Sequence, residues 1–168
     1  MTRSEPFALE VLGARDRRQE ALLRALDAGY PATLLVSLNI PGGEKTPPGA
    51  EAFFSWMESR ITGKFPAAAR LAASRDALGP YLLLGLAGDP LSVKRECVGL
   101  ETAHPASRLI DLDVHTPDGG QIGRARLGLP ARPCLVCRRR AVDCIRAKRH
   151  DLRAVVARAH ALLLSFQA

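Results

Sequence analysis

Leu22, Leu23 and Leu26 recur at helical spacing among charged residues, and the run stops at Gly29-Tyr30-Pro31, which predicts a helix over 16–28. Residues 32–40 are a β-branched and leucine-rich run feeding the turn-forming segment 41–48, a buried strand followed by a long loop. Phe53, Trp56, Met57 and Ile61 lie at helical spacing over 50–62 and form a core stripe. After Gly63 and Pro66, a second short helical stretch is expected up to Ser74. Residues 81–86 predict a strand, and a second strand is expected around 97–102 beyond the turn Gly88-Asp89-Pro90. Residues 108–115 and 121–124 flank Thr116-Pro117-Asp118-Gly119-Gly120 and predict a β-hairpin. A loop over 128–133 and helices over about 139–148 and 152–166 complete the chain. The last helix carries Leu152, Val155, Val156, Ala159, Leu162, Leu163 and Phe166 on one face, ready to pack on a sheet. These elements sum to an α+β fold, one domain over 1–168, with a mixed or mainly antiparallel sheet.

Composition narrows the class. With 168 residues, 47% of them hydrophobic, the chain can bury one ordinary core. It has no apolar run of membrane-spanning length and no signal-like start, so a cytoplasmic location and no membrane partner are expected. The net charge of +7 is unevenly placed: residues 124–158 hold eleven Lys and Arg against Asp143 and Asp151. Such a basic pole attracts any anionic partner and does not by itself say which.

The chemistry-bearing residues gather between His104 and His150. Asp111 and Asp113 are two apart on an expected strand, so both carboxylates leave one face while Ile110, Leu112 and Val114 leave the other. Such a pair suits Mg2+ and phosphoryl or nucleotidyl transfer, although ordinary strand alternation gives the same pattern. Cys134, Cys137, Cys144 and His150 follow a Cys-x2-Cys-x6-Cys-x5-His spacing. They can close a structural Zn2+ site or stand as free thiols beside a helix-terminal histidine. His104 is a candidate proton acceptor, and His115 shares the Asp111 face. His160 reads as a surface residue and Cys97 as a small buried one. Lys45, Arg15 and Arg18 are candidate phosphate ligands. P-loop, dinucleotide and nucleophile-elbow motifs are absent, and aromatic residues at 5% give no RNA-stacking platform, so no nucleic acid is expected as a partner.

Several of these features occur together in one pattern. Arg15-Asp16-Arg17-Arg18-Gln19, Asn39-Ile40-Pro41-Gly42 with Lys45, His104-Pro105, and Arg108 through Val114 appear in that order. They are followed by Leu129 through Cys137, then Cys144, Arg146, Lys148 and His150. In this the chain resembles the apo-citrate lyase phosphoribosyl-dephospho-CoA transferases, with Gly43 standing where proline is expected. The resemblance implies that a serine of the acyl carrier (gamma) subunit of citrate lyase attacks the α-phosphorus of 2'-(5''-triphosphoribosyl)-3'-dephospho-CoA and that pyrophosphate is released. The mechanism expected on this basis places Mg2+ on Asp111 and Asp113, with Arg15, Arg18, Asn39, Lys45, Arg108 and Arg132 on the substrate and His104 as base. The Asp-x-Asp strand is similar to the metal strand of polymerase-β-like nucleotidyltransferases, but without their Gly-Ser loop, so a nucleotidyltransferase-like fold is carried as an analogy.

Two other readings compete. The equivalent transferase of malonate decarboxylase would do the same chemistry on a different carrier. A small basic zinc-stabilised nucleic-acid-binding module would use the 138–158 pole but would leave the Asp pair without a task.

Overall fold

The computed structural model describes residues 5–166; the extreme start of the chain lies outside them. Five strands form one open sheet in the order β2-β3-β1-β4-β5, and every neighbouring pair is antiparallel. The strands are β1 (Ala32–Leu38), β2 (Ala69–Asp76), β3 (Gly79–Leu86), β4 (Ile110–His115) and β5 (Gln121–Ile122), and the helices are α1 (Glu5–Leu26), α2 (Ala50–Lys64), α3 (Pro90–Thr102), α4 (Ala141–Arg146) and α5 (Leu152–Leu164). The expected α+β class with a mainly antiparallel sheet is what the chain adopts.

Alternation divides the sheet into two unlike faces. One face presents Leu34, Val36 and Leu38 of β1, Leu82, Leu84 and Leu86 of β3, and Ile110, Leu112 and Val114 of β4. It packs against α2, α3 and the C-terminal part of α5 to make the main core. On the other face, Ala21, Leu22 and Ala25 of α1 cover Tyr81 and Leu83, with Leu35 and Leu71 beside them. This second face is only partly roofed. The register sets Ser37 of β1 opposite Asp111 and Leu35 opposite Asp113, so both carboxylates leave the sheet on the side that α1 covers elsewhere.

Three sequence expectations are corrected. Residues 97–102 form helix, not strand: Asp89 caps Ser92 N–H, Pro90 occupies the first turn, and Val93, Cys97 and Leu100 are buried at helical spacing. The stripe is disguised because Lys94 and Glu101 are buried in it as well. The stretch before Ser74 is the edge strand β2, where pairing to β3 overrides the helix propensity of its Ala, Leu and Arg residues. Its outer cations are tied back to α2 through Arg70–Glu58 and Arg75–Glu51. Helix α1 begins eleven residues earlier than expected, at Glu5. Its buried stripe is Ala14, Arg18, Ala21, Leu22 and Ala25, whereas Leu9 and Leu12 face outward, so hydrophobic periodicity alone misses its first half.

Candidate active site on the open face of β4

Asp111 and Asp113 occupy the uncovered part of the second face and are held by polar side chains from three directions. Asn39, just past the end of β1, donates through Nδ2 to Asp111 Oδ1 at 3.2 Å. Arg132, arriving from the loop before the cysteines, donates to the same oxygen and to the Ile110 carbonyl. Gln121 of β5 donates through Nε2 to Asp113 Oδ1 at 2.8 Å. Burial and the neighbouring Asp111 push the Asp113 carboxyl above its ordinary pKa, despite the opposing pull of Lys94 and His115. Two carboxylates on one face, each with a second oxygen free of hydrogen bonds among the described residues, offer the oxygen ligands that suit a hard divalent cation.

Glu101 organises the opposite flank and has no sequence signal of its own. It is 4% exposed, and its Oε2 accepts from Arg124 at 2.8 Å and lies 3.7 Å from Arg132 Nε. Its Oε1 accepts from Leu112 N–H at 3.4 Å, while Lys94 Nζ donates to the Leu112 carbonyl at 2.6 Å. Strand β5 is too short to pair with Leu112, so two charged side chains of α3 complete the edge of β4 between the two aspartates. Arg108 stands close by, donating to the Pro133 carbonyl. Its Nε and Nη1 are buried without a partner among the described residues. Burial, Arg132 and Arg124 lower its pKa, the mark of a cation cluster short of anions.

In the loop after β1, Lys45 Nζ donates to the Ile40 carbonyl at 2.9 Å. Burial first, then the charge of Arg15, depress its pKa, so Arg15 and Lys45 are close enough to repel each other. Arg132 and Arg108 form the cationic flank that reaches Asp111, while Lys45 and Arg15 make a second pair of cations near Ile40. Arg18 is not brought to either of them. It is 8% exposed, forms a bidentate pair with Asp76, donates to the Gly79 carbonyl at 2.8 Å and stacks over Tyr81, which makes it a staple between α1 and the β2–β3 turn.

His104 has a structural employment as well. Its Nδ1 accepts the Ala106 N–H at 3.0 Å, and its ring packs edge-on against Trp56 and Phe166. Those two rings belong to the main core on the opposite side of the sheet from the Asp pair. His115 is buried at the end of β4, 3.5 Å from the Gly119 carbonyl. His160, expected at the surface, is half-buried with Nε2 enclosed. Cys97 is fully buried as expected, and burial pushes its thiol up to about 12.

The ligand atoms of Cys134, Cys137, Cys144 and His150 all lie within 4.8 Å of one another, so this cluster could hold a metal ion. Cys137 Sγ is 3.5 Å from Cys144 Sγ and 3.3 Å from His150 Nε2. A tetrahedral zinc with bonds near 2.3 Å to sulfur sets neighbouring sulfurs roughly 3.8 Å apart, close to this spacing. Burial raises the Cys134 thiol, but hydrogen bonds from the N–H groups of Val136 and Cys137 and from the Cys144 and Cys137 side chains together lower its pKa. The backbone is shaped for the purpose: Pro133 bridges Arg140 to fold the knuckle, and Lys148, at a φ of 45°, turns the chain out of α4 so that His150 comes back to the cysteines.

A cleft of about 560 Å³ opens beside this cluster, lined by Asn39 and Arg108 and by Leu135, Ile145, Lys148, Leu152 and Val155 among others.

The comparisons agree with the geometry. The model of the apo-citrate lyase phosphoribosyl-dephospho-CoA transferase family matches residues 8–166. Proteins named apo-citrate lyase phosphoribosyl-dephospho-CoA transferase from Citrobacter koseri and Escherichia coli are each 40% identical over 92 residues. That stretch covers 55% of this chain and 50% of theirs. The chain therefore spans about half the length of the curated relatives it matches. With a family match over nearly all of its residues, this chain belongs to the apo-citrate lyase phosphoribosyl-dephospho-CoA transferase family.

Proposed function

We propose that this protein is an enzyme that transfers the phosphoribosyl-dephospho-CoA group from its triphosphate precursor to a serine of the apo acyl carrier subunit of citrate lyase. The observation that supports it best is Asp111, held by Asn39 and Arg132 on an open strand face with Arg108 beside it. In the reaction the serine oxygen forms a bond to the α-phosphorus, and the bond from that phosphorus to the oxygen bridging it to the β-phosphorus breaks. Pyrophosphate leaves with the bridging oxygen, and the serine proton passes to water at the open face.

Arg15 and Lys45 receive the departing pyrophosphate, relieving their mutual repulsion. Arg108 and Arg132 hold the α-phosphate end, where the spare donors of Arg108 need an anion. The free oxygens of Asp111 and Asp113 fit Mg2+, which when bound supplies charge neutralisation to the phosphates. Zinc in the Cys134, Cys137, Cys144 and His150 cluster is structural, since three thiolates and an imidazole leave no open position. The basic pole of residues 124–158 serves the anionic donor and an acidic carrier protein.

Mass spectrometry of purified apo carrier subunit incubated with protein, donor and Mg2+ tests the reading. A single covalent addition of phosphoribosyl-dephospho-CoA at one serine is expected; an unmodified carrier would overturn it.

A further inference from the structure

The geometry points to a nucleoside subsite: we propose that the adenosine portion of the donor occupies the cleft between the 41–45 loop, the cysteine knuckle and helices α4 and α5. The inference rests on the transfer reading above, because it uses the donor that reading names.

The chemistry of the walls suits a base and its sugar. Pro41, Leu135, Ala141, Ile145, Leu152 and Val155 give an apolar enclosure, and a volume of about 560 Å³ accommodates a purine nucleoside. The lining also includes Asn39, which touches Asp111, and Arg108, together with Lys148 and His150. A fitting occupant therefore offers apolar surface to most of the walls and an anion to Arg108.

Position fixes the direction of the donor. Asn39 lines the cleft and also touches Asp111, so the cleft adjoins the reacting face, and the donor's second ribose spans the step from the adenosine 2'-oxygen to the α-phosphate. Arg15 and Lys45 meet near the Ile40 carbonyl, one residue past Asn39 and outside the residues that line the cleft. The triphosphate tail then runs from Asp111 toward Arg15 and Lys45, and the nucleoside runs from Arg108 into the cleft. The subsite also accounts for otherwise costly surface chemistry, since Ile145 is 74% exposed and Leu152 63% exposed at the rim.

Calorimetric titration of the zinc-loaded protein with dephospho-CoA, 4'-phosphopantetheine and inorganic tripolyphosphate tests the proposal. Both rim residues are exposed, so Ile145→Glu and Leu152→Glu leave the core untouched. The expected result is at least a tenfold loss of dephospho-CoA affinity in each variant, with tripolyphosphate binding unchanged and 4'-phosphopantetheine binding weak throughout. Unchanged dephospho-CoA affinity overturns the subsite. So does 4'-phosphopantetheine binding as tightly as dephospho-CoA and lost in the same variants, which would assign the cleft to the pantetheine arm. Loss of carrier-subunit affinity in the variants with dephospho-CoA retained would assign it to the protein partner and equally overturn the proposal. Failure of the transfer reading shows separately, as an unmodified carrier with the wild-type protein.

Discussion

At the scale of single residues, the site depends on charges kept out of their preferred states. Asp113 has its pKa raised by burial and by Asp111, so the native protein binds a proton there more tightly than the unfolded chain does. The stability contribution of that proton is present at low pH. It is lost as pH rises from the ordinary carboxylate range through the raised native value. Asp113→Asn removes this dependence while keeping an acceptor for Gln121, so its thermal midpoint should exceed the wild type's at neutral pH in the absence of Mg2+ and fall less with rising pH. A lower midpoint for the variant would contradict the assignment. Glu101 is buried as well, holding Arg124 and approached by Arg132 and Lys94. Glu101→Ala leaves those cations without their counter-charge and should cost about 3–5 kcal/mol in urea denaturation, the usual penalty for breaking a buried pair. The Asp pair was legible because two acids at strand spacing stand out. Glu101 was not, because nothing in a sequence shows that a glutamate is buried.

At the scale of elements, the hairpin of β4 and β5, the helices α2 and α5 and the strands β1 and β3 were all legible from apolar periodicity and turn residues. The misreadings have a common cause. Helix α3 carries Lys94 and Glu101 in its inward stripe, and α1 carries Arg18 there, so their buried faces look polar. Strand β2 exists through its pairing with β3, and no local feature of its sequence demands it. Close approaches also emerge only in three dimensions. Gly85 of β3 lies so near Tyr30 that a Cβ would sit 2.3 Å from the ring. Gly85→Ala should therefore destabilise by about 1–3 kcal/mol, as overpacking does. Chemical denaturation will show it, and a neutral effect would mean that Tyr30 is free to move.

At the scale of the whole molecule, the sheet separates stability from function: the main core fills one face, and the other is roofed by α1 except over Asp111 and Asp113. The basic pole was evident in composition, but its meaning depended on the fold, which lays Arg132 on Asp111 and the cysteine knuckle beside the cleft. Among the described residues no helix is long and apolar enough to cross a membrane. Because Arg132 is two residues from Cys134 and Arg108 holds Pro133, a metal held by the cysteine–histidine cluster would anchor the strap that carries Arg132. Metal analysis should find one zinc per chain. Its chelation should loosen residues 128–150 to proteolysis after their arginines while the main core stays folded by circular dichroism. The absence of stoichiometric metal would contradict this.

The central claim is that phosphoryl transfer takes place at the Asp111–Asp113 face. Pyrophosphate release by the purified protein, with apo carrier subunit, triphosphate donor and Mg2+, compared between wild type and Asp111→Asn, tests it most directly. The expected result is carrier-dependent release by the wild type and a loss of at least about 100-fold in the variant, the scale seen when a group that stabilises transition-state charge is removed. Undiminished release by the Asp111→Asn protein would contradict the account.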